Sequence, residues 1–370
     1  MNPDTKFWVA LSTHQKIGAR TFGKLFKRFG KLEKIWRSNN QQLAEAGLDL
    51  SQMEAVKEVI AQRNPDKEID RLKKYDIKVI ILADKDYPKM LQEIPDPPGL
   101  LYVRGKILPK DEIALAVVGS RKFSPYGKKV TDELVWSLAK TKITIISGLA
   151  LGIDAFAHQA ALEAGGRTIA VLACGLDQIY PINNIRLADK ILASEGAIIS
   201  EFPLGMPALN YNFPIRNRII AGLSLGTVVI EAAENSGSLL TAAAAIDYNR
   251  EVFAVPGEIF SETSYGTNKL IRMGAKLITS YQDILDELQI TQKEKISQAR
   301  EIVPDTADEE ILLKLLKEPQ IIDEIVRKSK MTPAQVNSVL IGLEIKGKIN
   351  NLGGTRYVIN GKLRQKPERV

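Results

Sequence analysis

Short apolar runs alternate with helical patterns across the middle of this chain, at residues 113–118, 143–146, 168–173, 197–200, 226–232, 251–255 and 276–279. Runs this short and this uniformly apolar have no polar face to offer water. They must lie in a parallel sheet covered by helices on both sides. The sequence therefore predicts an α/β fold built on a doubly wound, mostly parallel sheet. Residues 77–82 and 100–103 also read as strands, separated by turn-rich stretches at 86–88 and 95–99, and are expected to extend that sheet.

The flanks have a different pattern. Residues 1 to about 65 read as short amphipathic helices broken at Gly18, Gly23, Gly30 and Gly47, giving a helical module over residues 1–70. Within it, THQKIGARTFGKLFKRFG (13–30) has the form of a helix-hairpin-helix turn. Only one copy is present, and a packing role without nucleic-acid contact is the preferred reading. The sheet-forming region spans residues 71–288, and the polar stretch 289–306 reads as a linker. Helices are expected at 309–317, 321–328 and 332–346, the last opened by Thr332-Pro333, followed by a hairpin through Gly353-Gly354. Three helices and a hairpin make a winged-helix pattern over residues 307–360, with a polar tail at 361–370. The helix at 332–346 has an apolar stripe of Val336, Val339, Leu340 and Leu343, with Lys346 and Lys348 basic only near its end. That suits a protein contact better than a DNA major groove.

Composition narrows the function classes. One cysteine, Cys174, excludes a disulfide framework, and two histidines, His14 and His158, leave no Cys/His set for zinc; a reducing cytoplasm is expected. No basic segment followed by a sustained apolar run opens the chain, and no eighteen apolar residues stand together, so neither secretion nor a membrane span is expected. The net charge of +7 is uneven: residues 1–112 hold 21 basic against 16 acidic side chains, whereas 113–280 hold 15 against 14. A polyanion site in the middle region must rest on a few focused arginines.

Ligands of doubly wound sheets bind beyond the carboxyl ends of the strands. The turns at those ends are Gly119-Ser120-Arg121, the glycine-rich stretch 147–152, Glu234-Asn235-Ser236-Gly237-Ser238, and Val255-Pro256-Gly257. All four are small and rich in donors. The segment FPIRNRIIAGLSLGTVVIEAAENSGSLLTAAAAI (213–246) adds Arg216 and Arg218 on one helix and places Ser236, Gly237 and Ser238 at the start of another. Free N–H groups and partial positive charge at a helix start receive an anionic oxygen, and guanidinium groups pair with it through two hydrogen bonds. The alternative is that Ser236 or Ser238 is only an N-cap, and one arginine only a structural ion-pair partner. Neither Gly-x-Gly-x-x-Gly nor a Gly-Lys-Ser/Thr loop is present, so standard dinucleotide and P-loop binding lose their support and no cofactor is expected. Asp154 and His158, four apart on one helix, are expected to be a structural hydrogen-bonded pair, Cys174 a packing residue, and Glu231 a hydrogen-bonding residue rather than a general base.

The motifs GSR (119–121), SGLALGID (147–154) followed by His158, AVLACGLDQIYP (170–181), Ser200-Glu201, FPIRNRIIAGLS (213–224), VIEAAENSGSLLTA (229–242) and VPG (255–257) together resemble the bacterial DNA-processing protein A family, DprA or Smf. The resemblance runs the length of the chain. It implies an extended Rossmann-like domain between an N-terminal helical module and, often, a C-terminal winged helix. It also implies a non-catalytic, cytoplasmic, homodimeric protein that binds and protects incoming single-stranded DNA and loads the RecA recombinase during natural transformation, the dimer forming through the Rossmann-like domain. Carried over by position, Arg121, Arg216 and Arg218 are the expected main contacts to the strand. Ser147, Gly148, Ser236, Gly237 and Ser238 are the expected donors, and Phe213 the base-stacking platform. One position departs: the family motif commonly reads SGLARGID, and this chain has Leu151 in place of that arginine, which implies weaker or more partner-dependent DNA binding.

An enzyme is the competing class. Nucleotide phosphoribohydrolases of the lysine-decarboxylase-like group have a PGG-x-GT-x-x-E signature. Gly226-Thr227 and Glu231 echo its end, but Leu223-Ser224-Leu225 stands where the glycines would be. A third reading, a scaffold that binds protein alone, predicts no role for Arg121 or Arg216 in binding DNA.

Overall fold

The β-branched and aliphatic runs read from the sequence pair into one nine-stranded sheet. In the computed structural model, which describes residues 2–290, 301–302, 304–316, 318–346, 348–353, 355–359 and 362–363, its strands are β1 (Lys78–Ile81), β2 (Leu100–Gly105), β3 (Ala114–Val118), β4 (Thr144–Ser147), β5 (Thr168–Val171), β6 (Ala197–Ser200), β7 (Gly226–Val229), β8 (Glu251–Ala254) and β9 (Lys276–Leu277). Their spatial order is β1-β2-β6-β5-β4-β3-β7-β8-β9. From β3 to β9 the strands are parallel, while β1 and β2 add antiparallel to one side. Every residue of β3 to β7 is buried, as continuous apolar runs require. The expected Rossmann-like class, extended by two strands, is the observed one.

The order fixes where a ligand can sit. The chain builds β4, β5 and β6 outward on one side of β3, then crosses back to place β7 on the other side, with Val117 opposite Val228 and Val118 opposite Val229. Loops leaving β3 and β7 diverge to opposite faces at this point and open a crevice beyond the carboxyl ends.

The N-terminal helices Thr5–Ser12, Ala19–Phe29, Leu50–Gln62 and Pro65–Lys73 share their core with the sheet. Trp8 stacks on Phe22 with centroids 5.3 Å apart and packs in the same apolar cluster as Ile81, Leu100 and Tyr102. The Asp4 carboxylate receives the Trp8 indole N–H at 2.9 Å and the backbone N–H groups of Leu32 and Glu33 at 2.8 Å. Helices and sheet up to Ile284 form one compact unit, and residues from Leu285 on form a second.

Helices Ala307–Leu315, Ile322–Ser329 and Pro333–Ile345 of the second unit enclose a core of Leu312, Leu316, Ile325, Val336, Leu340 and Leu343, beside strands Ile349–Gly353 and Arg356–Ile359. This is the expected winged helix. Lys346 and Lys348 do not extend toward solvent unpaired: each bridges Asp305 and Glu309 at 2.6–2.9 Å. Residues 291–300 and 364–370, hence most of the expected linker and tail, lie outside the described residues, as does Gly354 of the hairpin. Among the described residues, no helix is long and apolar enough to cross a membrane, and no three His, Cys, Asp or Glu side chains are placed to hold a metal ion.

Candidate nucleic-acid interface

A cleft of about 730 Å³ occupies the crevice beyond Val118 and Val229. The turn after β3 supplies Arg121 and Lys122, helix Asn212–Gly222 supplies Phe213, Arg216 and Asn217, and Ser236, Gly237 and Ser238 begin helix Gly237–Asp247 on its far side. This helix carries no acid in its first turn. Its N-cap is Ser236, whose Oγ accepts the Ser238 N–H over a long 3.4 Å and lies 2.7 Å from the Ser238 hydroxyl. A Cβ at exposed Gly237 would meet nothing within 4 Å, so the helix start is open to a ligand oxygen carrying negative charge.

Arg121 is exposed and lies over the Phe213 ring, 5.1 Å from its centroid. Arg216 lies 5.9 Å from the same centroid but is buried. Its Nη1 donates to the carbonyl oxygens of Gly148, at 2.6 Å, and Val171, and its Nε donates to Asn217 Oδ1 at 3.1 Å. Burial brings its pKa down to about 10 against the pull of Asp154, which leaves it charged at neutral pH. Glycine at 148 permits this arrangement: an added Cβ would stand 2.3 Å from Arg216 Nη1. Gly148→Ala is expected to displace the guanidinium and cost about 1–3 kcal/mol, the usual range for overpacking. Thermal unfolding beside Gly165→Ala, where no atom lies within 4 Å but φ is +68°, separates crowding from backbone strain.

Two of the expected donors and one expected arginine contact are placed differently. Ser147 Oγ donates to the Val117 carbonyl at 2.6 Å and ties β3 to β4, and the Gly148 N–H donates to Asp154 Oδ2 at 3.1 Å. Gly148 lines the narrow recess beside the cleft and Ser147 lies under it at the end of β4, their donors used within the fold. Arg218 does not join Arg216. Residues two apart on a helix project to different sides, and Arg218 pairs with Glu201 and the Asp96 carbonyl, lining a separate cleft of about 460 Å³ beside the Thr13–Gly18 turn. Arg218 is therefore the structural ion-pair arginine, and the expectation that the two arginines act together is corrected.

The titratable groups near the cleft are also held internally. Asp154 and His158 do not bond to each other: Asp154 faces Gly148, and His158 Nδ1 lies 2.6 Å from Thr168 Oγ1. Burial, helped by Arg216, pushes His158 down to about 3, so it stays neutral. Burial pushes the Cys174 thiol up to about 11, the state of a packing residue. Glu231 accepts the Ser124 N–H at 2.9 Å and hydroxyl at 2.5 Å and the Thr263 hydroxyl at 3.1 Å, as expected of a hydrogen-bonding residue.

Residues 78–289 match the family model described as DNA recombination-mediator protein A. The chain belongs to this family. Residues 297–355 match the DprA winged helix domain. Protein Smf of Synechocystis is 33% identical across 96% of this chain and 99% of its own length. Protein Smf of Escherichia coli is 49% identical over 57% of this chain and 56% of its own length. Among solved structures, the crystal structure of DNA processing protein A from Streptococcus pneumoniae superposes with a TM-score of 0.65 at 36% identity, over 76% of this chain and 96% of that one. A Helicobacter pylori structure, described as giving insight into the single-stranded DNA binding mode of DNA processing protein A, superposes with a TM-score of 0.52 at 32% identity, over 58% and 96%.

Within this DprA fold, several cleft residues escape sequence reasoning. Lys122, Asn217 and Tyr265 line the main cleft, and Tyr180 lines a narrow recess beside it with Arg121, Phe213, Arg216 and Leu151, the last of which the sequence had already marked. Lys122 follows GSR directly and Asn217 sits between the two arginines, so the motifs contained them. Tyr180 lies on the long loop after β5 and Tyr265 on a helix after β8, where no local pattern points to the cleft.

Proposed function

We propose that this cleft binds single-stranded DNA without cutting it, and that the protein, as a cytoplasmic homodimer formed through its Rossmann-like domain, protects incoming strands and loads the RecA recombinase on them during natural transformation. One observation carries the reading: an exposed guanidinium, Arg121, lies over an aromatic ring, Phe213, at the rim of a cleft that ends on an open helix N-terminus. Cationic groups with stacking surfaces are what single strands require, since phosphates supply charge and every base supplies a flat face. Arg121, Arg216, Ser236, Gly237 and Ser238 form the phosphate seat in this reading, with Phe213 as the platform. Single-stranded DNA is also the ligand class of the Helicobacter pylori relative. Against hydrolysis, the carboxylate that would serve as base, Glu231, has both oxygens engaged by Ser124 and Thr263.

The test is an anisotropy titration of a labelled oligothymidylate at two salt concentrations, beside an assay for free base released from nucleoside monophosphates. Salt-sensitive binding with no base release is expected; base release without retention of strands would overturn the proposal. Leu151, 45% exposed in the recess with Arg121 and Arg216, gives a second check. Leu151→Arg is expected to tighten binding about ten-fold at low salt, roughly one charge-assisted contact, and to steepen the log affinity against log salt slope by about 0.7. Equal affinities for the two proteins would remove the idea that this position weakens the seat.

A further inference from the structure

The recess beside the cleft places an exposed ring next to the platform. Tyr180 is 44% exposed, with its ring centroid 5.9 Å from that of Phe213 and the planes tilted by 52°. Leu151, also exposed, lines the same recess, as do Arg121 and Arg216. The loop is fixed in place: Asn184 Nδ2 donates to the Leu149 carbonyl at 2.8 Å and to the Ala150 carbonyl at 3.3 Å, tying the segment that carries Tyr180 to the turn that carries Leu151.

We propose that Tyr180, together with Phe213, receives one unstacked base of the bound strand, adjacent to the phosphate held at Arg121. The inference rests on the single-stranded DNA reading above and assigns a second station to it. The recess is small, about 40 Å³, so the base lies along its open edge and not inside. An exposed aromatic ring and an exposed leucine beside two guanidinium groups match a ligand with flat apolar faces on a negative backbone. A base on Tyr180 adds stacking without adding charge contact, so its contribution is independent of sequence and of salt.

The experiment titrates the full-length protein with an oligothymidylate and with a strand of equal length in which several internal nucleotides are abasic, across a salt series. Tyr180→Ala is expected to weaken binding of the intact strand roughly ten-fold, within the range for loss of one base–aromatic stack, while the slope of log affinity against log salt stays that of wild type. Tyr180→Phe, which keeps the ring, restores most of the loss. Wild type should prefer the intact over the abasic strand, and Tyr180→Ala should lose part of that preference. Equal thermal midpoints establish that the variants are folded. If Tyr180→Ala binds like wild type while Arg121→Ala loses affinity and slope, the station at Tyr180 is wrong and the phosphate seat stands. If wild type itself shows no salt-dependent binding, the reading of the cleft fails and the station with it.

Discussion

Arg218→Ala is expected to destabilise the protein by about 3–5 kcal/mol, the cost of leaving a buried carboxylate without its partner, and to alter DNA affinity little once the variant is folded. The side chains of Arg218 and Glu201 are only 11% and 12% exposed, and among the described residues Glu201 Oε1 has no hydrogen-bond partner. Burial pushes the Glu201 carboxyl up to about 7 from 4.5, against the pull of Arg218 and with the help of nearby Asp96. A carboxyl whose folded-state pKa is raised in this way favours the fold below the unfolded value, and that contribution is lost as pH rises through the folded value. Removing Arg218 raises the folded value further, so the deficit should be larger near pH 8 than near pH 5.5. Urea unfolding of wild type and variant at both pH values checks the sign. A deficit independent of pH would mean that Glu201 is not the group left unpaired. Arg218→Leu with Glu201→Leu should recover much of the loss, since an apolar pair removes both buried charges.

Arg121→Ala has the largest expected effect on binding. Its side chain is exposed and, among the described residues, makes no ion pair or hydrogen bond, so its removal leaves the core intact, unlike removal of Arg216, which supports two backbone carbonyls. Loss of one charge-assisted phosphate contact, worth about 1.5–3 kcal/mol, predicts roughly 10- to 100-fold weaker binding of single strands. The slope of log affinity against log salt should fall by about 0.7, the counterion released per phosphate contact on a single strand. Arg121→Lys keeps the charge but not the two-pronged geometry and should fall between. Unchanged affinity in Arg121→Ala would move the seat away from the β3 turn altogether. A double substitution of Arg216 and Arg218 is a poorer probe, because both side chains are buried and the variant would report stability together with binding.

Which parts of this arrangement could be read from sequence follows from the range of the interactions involved. The central strands β3 to β7 were readable because each is an apolar run bounded by turn residues, and burial on both faces leaves nothing else for such a run to be; the edge strand β9 has only two residues, both exposed. The edge that holds the cleft was readable from the small, donor-rich turns that follow the strands, whereas the strand order that opens it between β3 and β7 was not. The fate of individual donors was not. Whether Ser147 Oγ faces a ligand or the Val117 carbonyl depends on the pairing of β3 with β4 and not on anything near Ser147 in the chain. Arg216 and Arg218 look equivalent in sequence; the helix separates them, and Glu201, seventeen positions away, claims the second. The N-terminal helices also read as a separate module, because nothing local shows that Trp8 and Phe22 share a core with Ile81 and Tyr102.

The buried carboxylate of Glu231 has a consequence for the opening itself. It grips Ser124, which follows Arg121 by three residues, and Thr263, which lines the same cleft, and a side chain at Gly127 would crowd it, since Glu231 Oε2 would lie 2.2 Å from its Cβ. Two walls contributed by distant parts of the chain are thus moored to one post, and the gap between them is set when the protein folds. Under the proposed binding role, a strand would meet walls already held together by Glu231, and little of the binding energy would go into ordering the protein.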